Sequence, residues 1–256
     1  MRKAGNKRRK APKLGQHLLT NPKHARTVAE CSGAGKGVRV YEVGPGRGML
    51  TRELLALGAT VTAVEKDPMM IAVLQETFAK EIKSKKLKLV AGDAREHGGE
   101  VMGKGAYVVA ANIPYYITGE LIRAMLTAKN QPRQMALLVQ KEVAERIARS
   151  KKESILSLSV KVFGVPKYVT TVTRGNFNPP PNVDSAILQI SDISRKNLKK
   201  ISEENFFKVV KAGFAQKRKT LAGNLKRALG NSLGVAEKIR AEDVPLNEWL
   251  LIASKY

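Results

Sequence analysis

Between residues 38 and 148 the chain alternates short apolar runs with helical stretches, and this alternation limits the possible fold more than any other feature. Segments 38–43, 60–64, 87–91, 107–111 and 135–139 are β-branched or otherwise apolar and read as strands. Segments 50–57, 69–82, 120–127 and 142–148 lie between or after them and carry helical character. Strands alternating with helices imply a parallel sheet covered by helices on both faces. Right-handed crossovers then bring the strand carboxyl ends to one rim, where open α/β sheets bind their ligands.

The flanks follow other patterns. Residues 1–13 form a basic tail, expected to be disordered when free. Segment 14–21 reads as a loop and 22–31 as a helix. After a helix at 154–163, segments 168–172 and 186–190 look like an antiparallel hairpin that finishes the sheet edge. Segment 176–181, between them, is too rich in proline for a strand. Residues 191–200 make a polar, lysine-rich linker, and 203–214, 220–229 and 246–254 all read helical. The expected organisation is therefore a tail (1–13), an α/β domain (14–192) and a small all-α domain (193–256).

Charge narrows the partner. The 256 residues hold 46 Lys and Arg against 22 Asp and Glu, a formal charge of +24. Self-repulsion of that size opposes compactness, so a polyanion is expected, with nucleic acid ahead of an anionic membrane surface. Lys217, Arg218 and Lys219, between two helices, are candidates to meet it. No apolar run approaches the roughly 20 residues needed to span a bilayer, and the tail lacks the apolar core of a secretory signal. One cysteine, Cys31, allows no intrachain disulfide and no thiolate zinc cluster. His17, His24 and His97 show no ligand spacing, so a cytoplasmic protein without a structural metal is expected.

The strand ends carry the chemistry. Glu42-Val43-Gly44-Pro45-Gly46-Arg47-Gly48 follows the first strand of the alternation, and its glycines allow close approach of a ligand to the backbone. Its spacing departs from the dinucleotide pattern, and no triphosphate-binding loop occurs anywhere. Glu65, at the next strand end, is either a surface carboxylate or an acceptor for the two hydroxyls of a ribose. Asp93, after the third, is either a helix cap or an acceptor for an adenine amine. The fourth ends in Asn112-Ile113-Pro114-Tyr115. N-x-P sequences favour plain turns, yet this set also suits a planar base with an exocyclic amine. The amide oxygen and a backbone carbonyl can accept from the amine, while the ring stacks on the base.

Taken with Gly15-Gln16-His17-Leu18-Leu19, Gly92-Asp93-Ala94, Gln140–Arg146, Phe177–Ser185 and Phe214–Leu221, these motifs resemble the ribosomal RNA adenine dimethyltransferase family in content and order, from Leu14 to Leu225. The resemblance implies a Rossmann-like S-adenosylmethionine-dependent methyltransferase sheet. It implies an enzyme that dimethylates N6 of two adjacent adenosines near the 3′ end of small-subunit rRNA, as a monomer acting on a pre-ribosomal small subunit. His17 and Leu19 would border the methionine part of the cofactor, Gly44 would form the glycine turn, Glu65 would hold the ribose and Asp93 the adenine. Asn112 would touch both cofactor and target amine, Pro114 would offer its carbonyl, and Tyr115 and Phe177 would clamp a flipped-out adenine. Two alternatives stand beside it. One is a large-subunit rRNA adenine methyltransferase; the other is a non-catalytic ribosome assembly or transcription factor on the same fold.

Overall fold

The computed structural model describes residues 17–97 and 99–256. The expected basic tail and Gly15-Gln16 lie outside the described residues. In chain order the elements are β1 (Leu18–Leu19), α1 (Pro22–Cys31), β2 (Arg39–Val43), α2 (Met49–Ala56), β3 (Thr60–Glu65), α3 (Pro68–Thr77), α4 (Ala79–Lys83), β4 (Leu87–Ala91), α5 (Ala94–His97) and β5 (Val108–Asn112). There follow α6 (Thr118–Thr127), β6 (Met135–Gln140), α7 (Lys141–Ala148), α8 (Ile155–Lys161), β7 (Val165–Val172), β8 (Phe177–Asn178), β9 (Ser185–Ser191), α9 (Glu203–Gly213), α10 (Leu221–Leu229) and α11 (Leu246–Ala253).

Local chemistry explains many of the boundaries. Asn21 and Asp67 accept from the backbone two residues on, and Pro22 and Pro68 then open α1 and α3 with a preset φ. A reciprocal Ser154–Ser157 capping box starts α8, while Ser202 and Thr220 cap α9 and α10. Gly230, left-handed at φ +77°, ends α10.

Seven strands form one sheet in the order β4-β3-β2-β5-β6-β9-β7. The first five are parallel, and β9 runs antiparallel to both β6 and β7. The expected parallel sheet with an antiparallel edge is what forms. Registry pairs Glu65 with Ala91, Val43 with Ala111, Asn112 with Leu138 and Gln140 with Ser185, so the carboxyl ends stand level along one rim. β5 and β6, in the middle of the sheet, read as apolar runs up to their last residue because both faces are covered. One core packs α1, α2, Leu74 and Phe78 against Val40, Val61, Ala110 and Leu138. The other joins Tyr41, Val109 and Leu137 to α6 and α8, and continues into Phe206, Phe207, Leu225 and Trp249 of the C-terminal helices. Among the described residues no helix is long and apolar enough to cross a membrane.

Three local expectations fail. Leu18–Leu19, within the segment 14–21 read as a loop, forms β1, because its backbone finds a partner strand far along the chain. Segment 69–82 is two helices, not one, because Phe78 leaves helical geometry (φ −115°, ψ 29°) to bury its ring. Phe177–Asn178 does form a strand, paired with β1, and Pro179, lacking an N–H, follows where it stops.

Candidate active site

Three glycines shape the turn after β2, all with positive φ: Gly44 at 65°, Gly46 at 56° and Gly48 at 81°. A Cβ on Gly46 would lie 2.7 Å from Leu18 Cδ2, and one on Gly48 would lie 2.3 Å from Phe78 Cε2. Those two glycines serve packing. In front of Gly44 the nearest atom to such a Cβ is the Asn112 carbonyl oxygen at 3.9 Å, so the space there is open. The Glu65 carboxylate holds the turn in place. It is 3% exposed, accepts from Gly46 N–H at 3.1 Å through Oε2, and from Lys66 and Asp67 N–H at 2.9 Å through Oε1.

Asp93 both caps and pairs. It accepts from the Arg95 backbone N–H at 3.0 Å, the Arg95 guanidinium at 2.6 and 3.0 Å, and Lys66 Nζ at 2.9 Å. The Arg95 hydrogen bonds hold its carboxyl well below the usual carboxylate range. The carboxylate is therefore charged at neutral pH, and a ligand donor there joins a site already facing two cations.

At the end of β5 the orientation of Asn112 is set by its neighbour. Its Nδ2 donates to the His17 carbonyl at 3.0 Å. A carbonyl can only accept, so the amide cannot be flipped, and Oδ1 is left as an acceptor on the other side. His17 Nδ1 in turn donates to the Pro179 carbonyl at 2.9 Å. Thr20 N–H and Oγ1 donate to the Asn176 carbonyl, and Asn21 Nδ2 donates to Asn176 Oδ1. Distant parts of the chain thus close over the rim. Pro114, with φ −56°, turns its carbonyl to the Ile117 N–H at 3.1 Å, which uses one of two lone pairs. Tyr115 anchors its hydroxyl on buried Ser185 Oγ at 2.7 Å, and its ring stands 5.6 Å from the His17 ring. Burial raises the phenol's pKa.

Gly44 borders three adjoining cavities. The largest, about 750 Å³, is lined by Leu18, Leu19, Gly44, Asn112, Asn178 and Pro179 along with the facing sides of α1 and α2. That volume lies within the range of small-molecule sites. A cleft of about 40 Å³ continues past His17, Glu65, Asn112, Pro114 and Tyr115, and one of about 60 Å³ reaches Glu65, Asp93, Pro114 and Tyr116. The structure thus gathers His17, Leu19, Gly44, Glu65, Asp93, Asn112, Pro114 and Tyr115 around one glycine.

Phe177 is the exception, and the expectation of a ring on the pocket wall is corrected. The β1–β8 register sets Leu19 against Phe177 and Leu18 against Asn178. Phe177, 4% exposed, enters the core and does not line the cavity; Leu19 packs in the same core and also borders the cavity, as Leu18 and Asn178 do. Lys217, Arg218 and Lys219 are exposed elsewhere. Lys217 and Lys219 line a separate groove of about 590 Å³ with Arg146, Lys152 and Arg240. Sequence reasoning misses Ser185, Lys66 and Arg95. The D-x-R spacing of Asp93 and Arg95 is a local clue to the last, whereas nothing local announces Ser185 as a tyrosine's partner.

Open space at Gly44 and acceptors at the ends of β3, β4 and β5 match a nucleoside cofactor with ribose hydroxyls and an exocyclic amine. On this sheet order they define the class of Rossmann-like S-adenosylmethionine-dependent methyltransferases. Comparison with known proteins goes further: the ribosomal RNA adenine dimethylase family matches residues 7–256. The chain belongs to that family. A relative from Dehalococcoides mccartyi, called ribosomal RNA small subunit methyltransferase A, is 36% identical over 256 residues, 95% of this chain and 87% of its own. The crystal structure of a dimethyladenosine transferase from Plasmodium falciparum superposes with a TM-score of 0.77 at 27% identity, covering 92% of this chain and 96% of that one. The 23S rRNA methyltransferase ErmE shares the fold, with a TM-score of 0.73 at 23% identity over 93% of this chain and 98% of its own.

Proposed function

We propose that the protein transfers methyl groups from S-adenosylmethionine to N6 of two adjacent adenosines near the 3′ end of small-subunit rRNA, giving N6,N6-dimethyladenosine. The observation that carries this reading is the Asn112 amide, fixed by its bond to the His17 carbonyl with Oδ1 left to accept, on the same two cavities that Gly44 lines. The names of curated relatives favour the small subunit over the large.

Adenine N6 is a poor nucleophile because its lone pair is delocalised into the ring. Asn112 Oδ1 and the second lone pair of the Pro114 carbonyl accept from the amine, favour a pyramidal nitrogen and turn its lone pair toward the rim. Tyr115, tethered at its hydroxyl, offers a stacking surface for the flipped base. The bound cofactor supplies an electrophilic methyl on a sulfonium, so positioning accounts for most of the acceleration. No side chain of matched pKa is required, because water takes the proton once the nitrogen has become acidic. On the cofactor side, Gly44 admits close approach, and His17 and Leu19 border the methionine part. Glu65 accepts from the ribose with the one lone pair that its three backbone bonds leave over, and Asp93 accepts from the cofactor adenine.

In this reading residues 14–192 carry catalysis. Residues 193–256 contact rRNA phosphates through Lys217, Arg218 and Lys219, and the protein acts in the cytoplasm as a monomer on a pre-ribosomal small subunit. The test is incubation with labelled cofactor and undermethylated small subunits, followed by nucleoside analysis. Label in N6,N6-dimethyladenosine of the small-subunit rRNA is expected. Label confined to large-subunit rRNA, or cofactor binding without transfer, would refute it.

A further inference from the structure

Five lysines fall within nine residues at the edge of the sheet: Lys80 and Lys83 on α4, Lys85 and Lys86 in the turn after it, and Lys88 on β4. All five are exposed. None pairs with a carboxylate among the described residues, whereas Lys66, Lys141, Lys152 and Lys161 do. The acids nearby in sequence are Glu76 and Glu81, two against five.

Backbone bonds hold the cluster in one arrangement. Ser84 N–H donates to the Lys80 carbonyl, Lys85 N–H to Ile82 and Lys86 N–H to Glu81, at 2.8 to 3.0 Å. Lys85 sits at φ +59°, a left-handed conformation that glycine or asparagine takes more readily. A lysine at such a position keeps its charge against the backbone's preference.

Lysines on an edge strand protect it from pairing with another chain. That accounts for Lys88 alone, since the other four are not on β4. A solvated helix face does not account for them well either: Lys80 and Lys83 are one turn apart, where like charges repel.

We infer that this edge is a second phosphate-contact surface for the rRNA substrate, separate from Lys217, Arg218 and Lys219. The strand order puts β4 at one side of the sheet. Lys217 and Lys219 share their groove with residues 146–156, which join α7 and α8 beside β7 at the other. At about 4.8 Å per strand the two edge strands are roughly 29 Å apart. The protein then grips its substrate at two points on either side of the rim, over a length that a folded rRNA surface spans.

The inference rests on rRNA being the substrate, and the experiment separates the two claims. Binding of the full-length protein to a transcript of the small-subunit rRNA 3′ domain is measured across a salt series. Lys80, Lys83, Lys85 and Lys86, all changed to Gln, should flatten the log–log slope by roughly 0.7–0.9 for each phosphate that is no longer neutralised. Cofactor affinity and melting temperature should stay near wild type, and the matching Lys→Arg set should keep the wild-type slope. The effect should add to that of Lys217→Ala, Arg218→Ala and Lys219→Ala, since the two groups share no residues. Lys85→Gly alone should melt higher yet bind RNA more weakly, because glycine suits the backbone while the charge is gone. An unchanged slope in the Gln variant overturns the inference. So does a variant that keeps its RNA slope but loses binding to anionic phospholipid vesicles, which would make the edge a membrane-binding surface. If the wild-type protein shows no salt-dependent binding to the transcript, the rRNA reading fails, and this inference with it.

Discussion

Glu42 is a carboxyl group buried completely beneath α2. Its Oε2 accepts the Thr51 hydroxyl at 2.7 Å, and Oε1 has no partner among the described residues. Burial, with a smaller contribution from the charge of Glu65, pushes its pKa from 4.5 up to about 8. At neutral pH the folded protein therefore holds a proton that the unfolded chain has released. For this group, stability is greatest below its ordinary pKa, falls as pH rises between the two values, and is level above the higher one. Glu42→Gln should remove that slope. Melts of the two proteins should differ least near pH 4.5 and diverge toward pH 8, by on the order of a few kcal/mol. Parallel pH profiles would mean that Glu42 is ionised in the fold. Glu65 differs, because its carboxylate is satisfied by three N–H groups and also borders two of the clefts around Gly44. Glu65→Ala should weaken cofactor binding by about 1.5–3 kcal/mol in calorimetry while leaving RNA affinity at fixed salt unchanged. Unaltered cofactor affinity would reduce Glu65 to an anchor for the glycine turn.

At the scale of elements, the order of strands and helices was legible because local periodicity and capping agree with the tertiary fold. α1 and β4 have the boundaries read from sequence, since Asn21-Pro22 marks a helix start and the run 87–91 ends in Gly92. What local pattern cannot reach is registry between distant segments. Nothing near Phe177 reveals that it will face Leu19 across a two-residue ladder, and a shift of one residue would reverse which of Phe177 and Asn178 enters the core. The break at Phe78 was hidden for the same reason, since it answers to Gly48 thirty residues earlier. The pair Tyr115 and Phe177 tests this directly. Phe177→Ala should cost about 3–5 kcal/mol of stability, as for a buried aromatic. Tyr115→Ala should instead lower single-turnover methyl transfer by removing about 1–3 kcal/mol of base stacking, with cofactor affinity retained. A Phe177→Ala protein that melts like wild type but fails in transfer would show that the ring leaves the core to meet the base.

For the molecule as a whole, composition and packing give different impressions of where one unit ends. The lysine-rich stretch 191–200 looks like a linker, yet a single core crosses it. The Phe163 and Phe207 rings lie 6.2 Å apart, and Arg123 stands 5.0 Å over the Phe207 ring. Arg195 donates to the carbonyls of Thr127 and Ala128 and pairs with Glu203. Farther along, Glu153 N–H donates to the Glu242 carbonyl at 2.7 Å, and Lys152 pairs with the Glu242 side chain. Separating α9–α11 from the sheet would expose apolar surface on both parts and break these bonds together, so neither part should outlast the other on heating. Calorimetry should show one transition whose calorimetric and van't Hoff enthalpies agree. Saturating cofactor should shift it as a whole, by about 2.7 kcal/mol at a hundredfold excess over Kd. Two resolved transitions, with only one moved by cofactor, would mean that the helical part folds independently and that the shared core contributes little to holding it on the sheet.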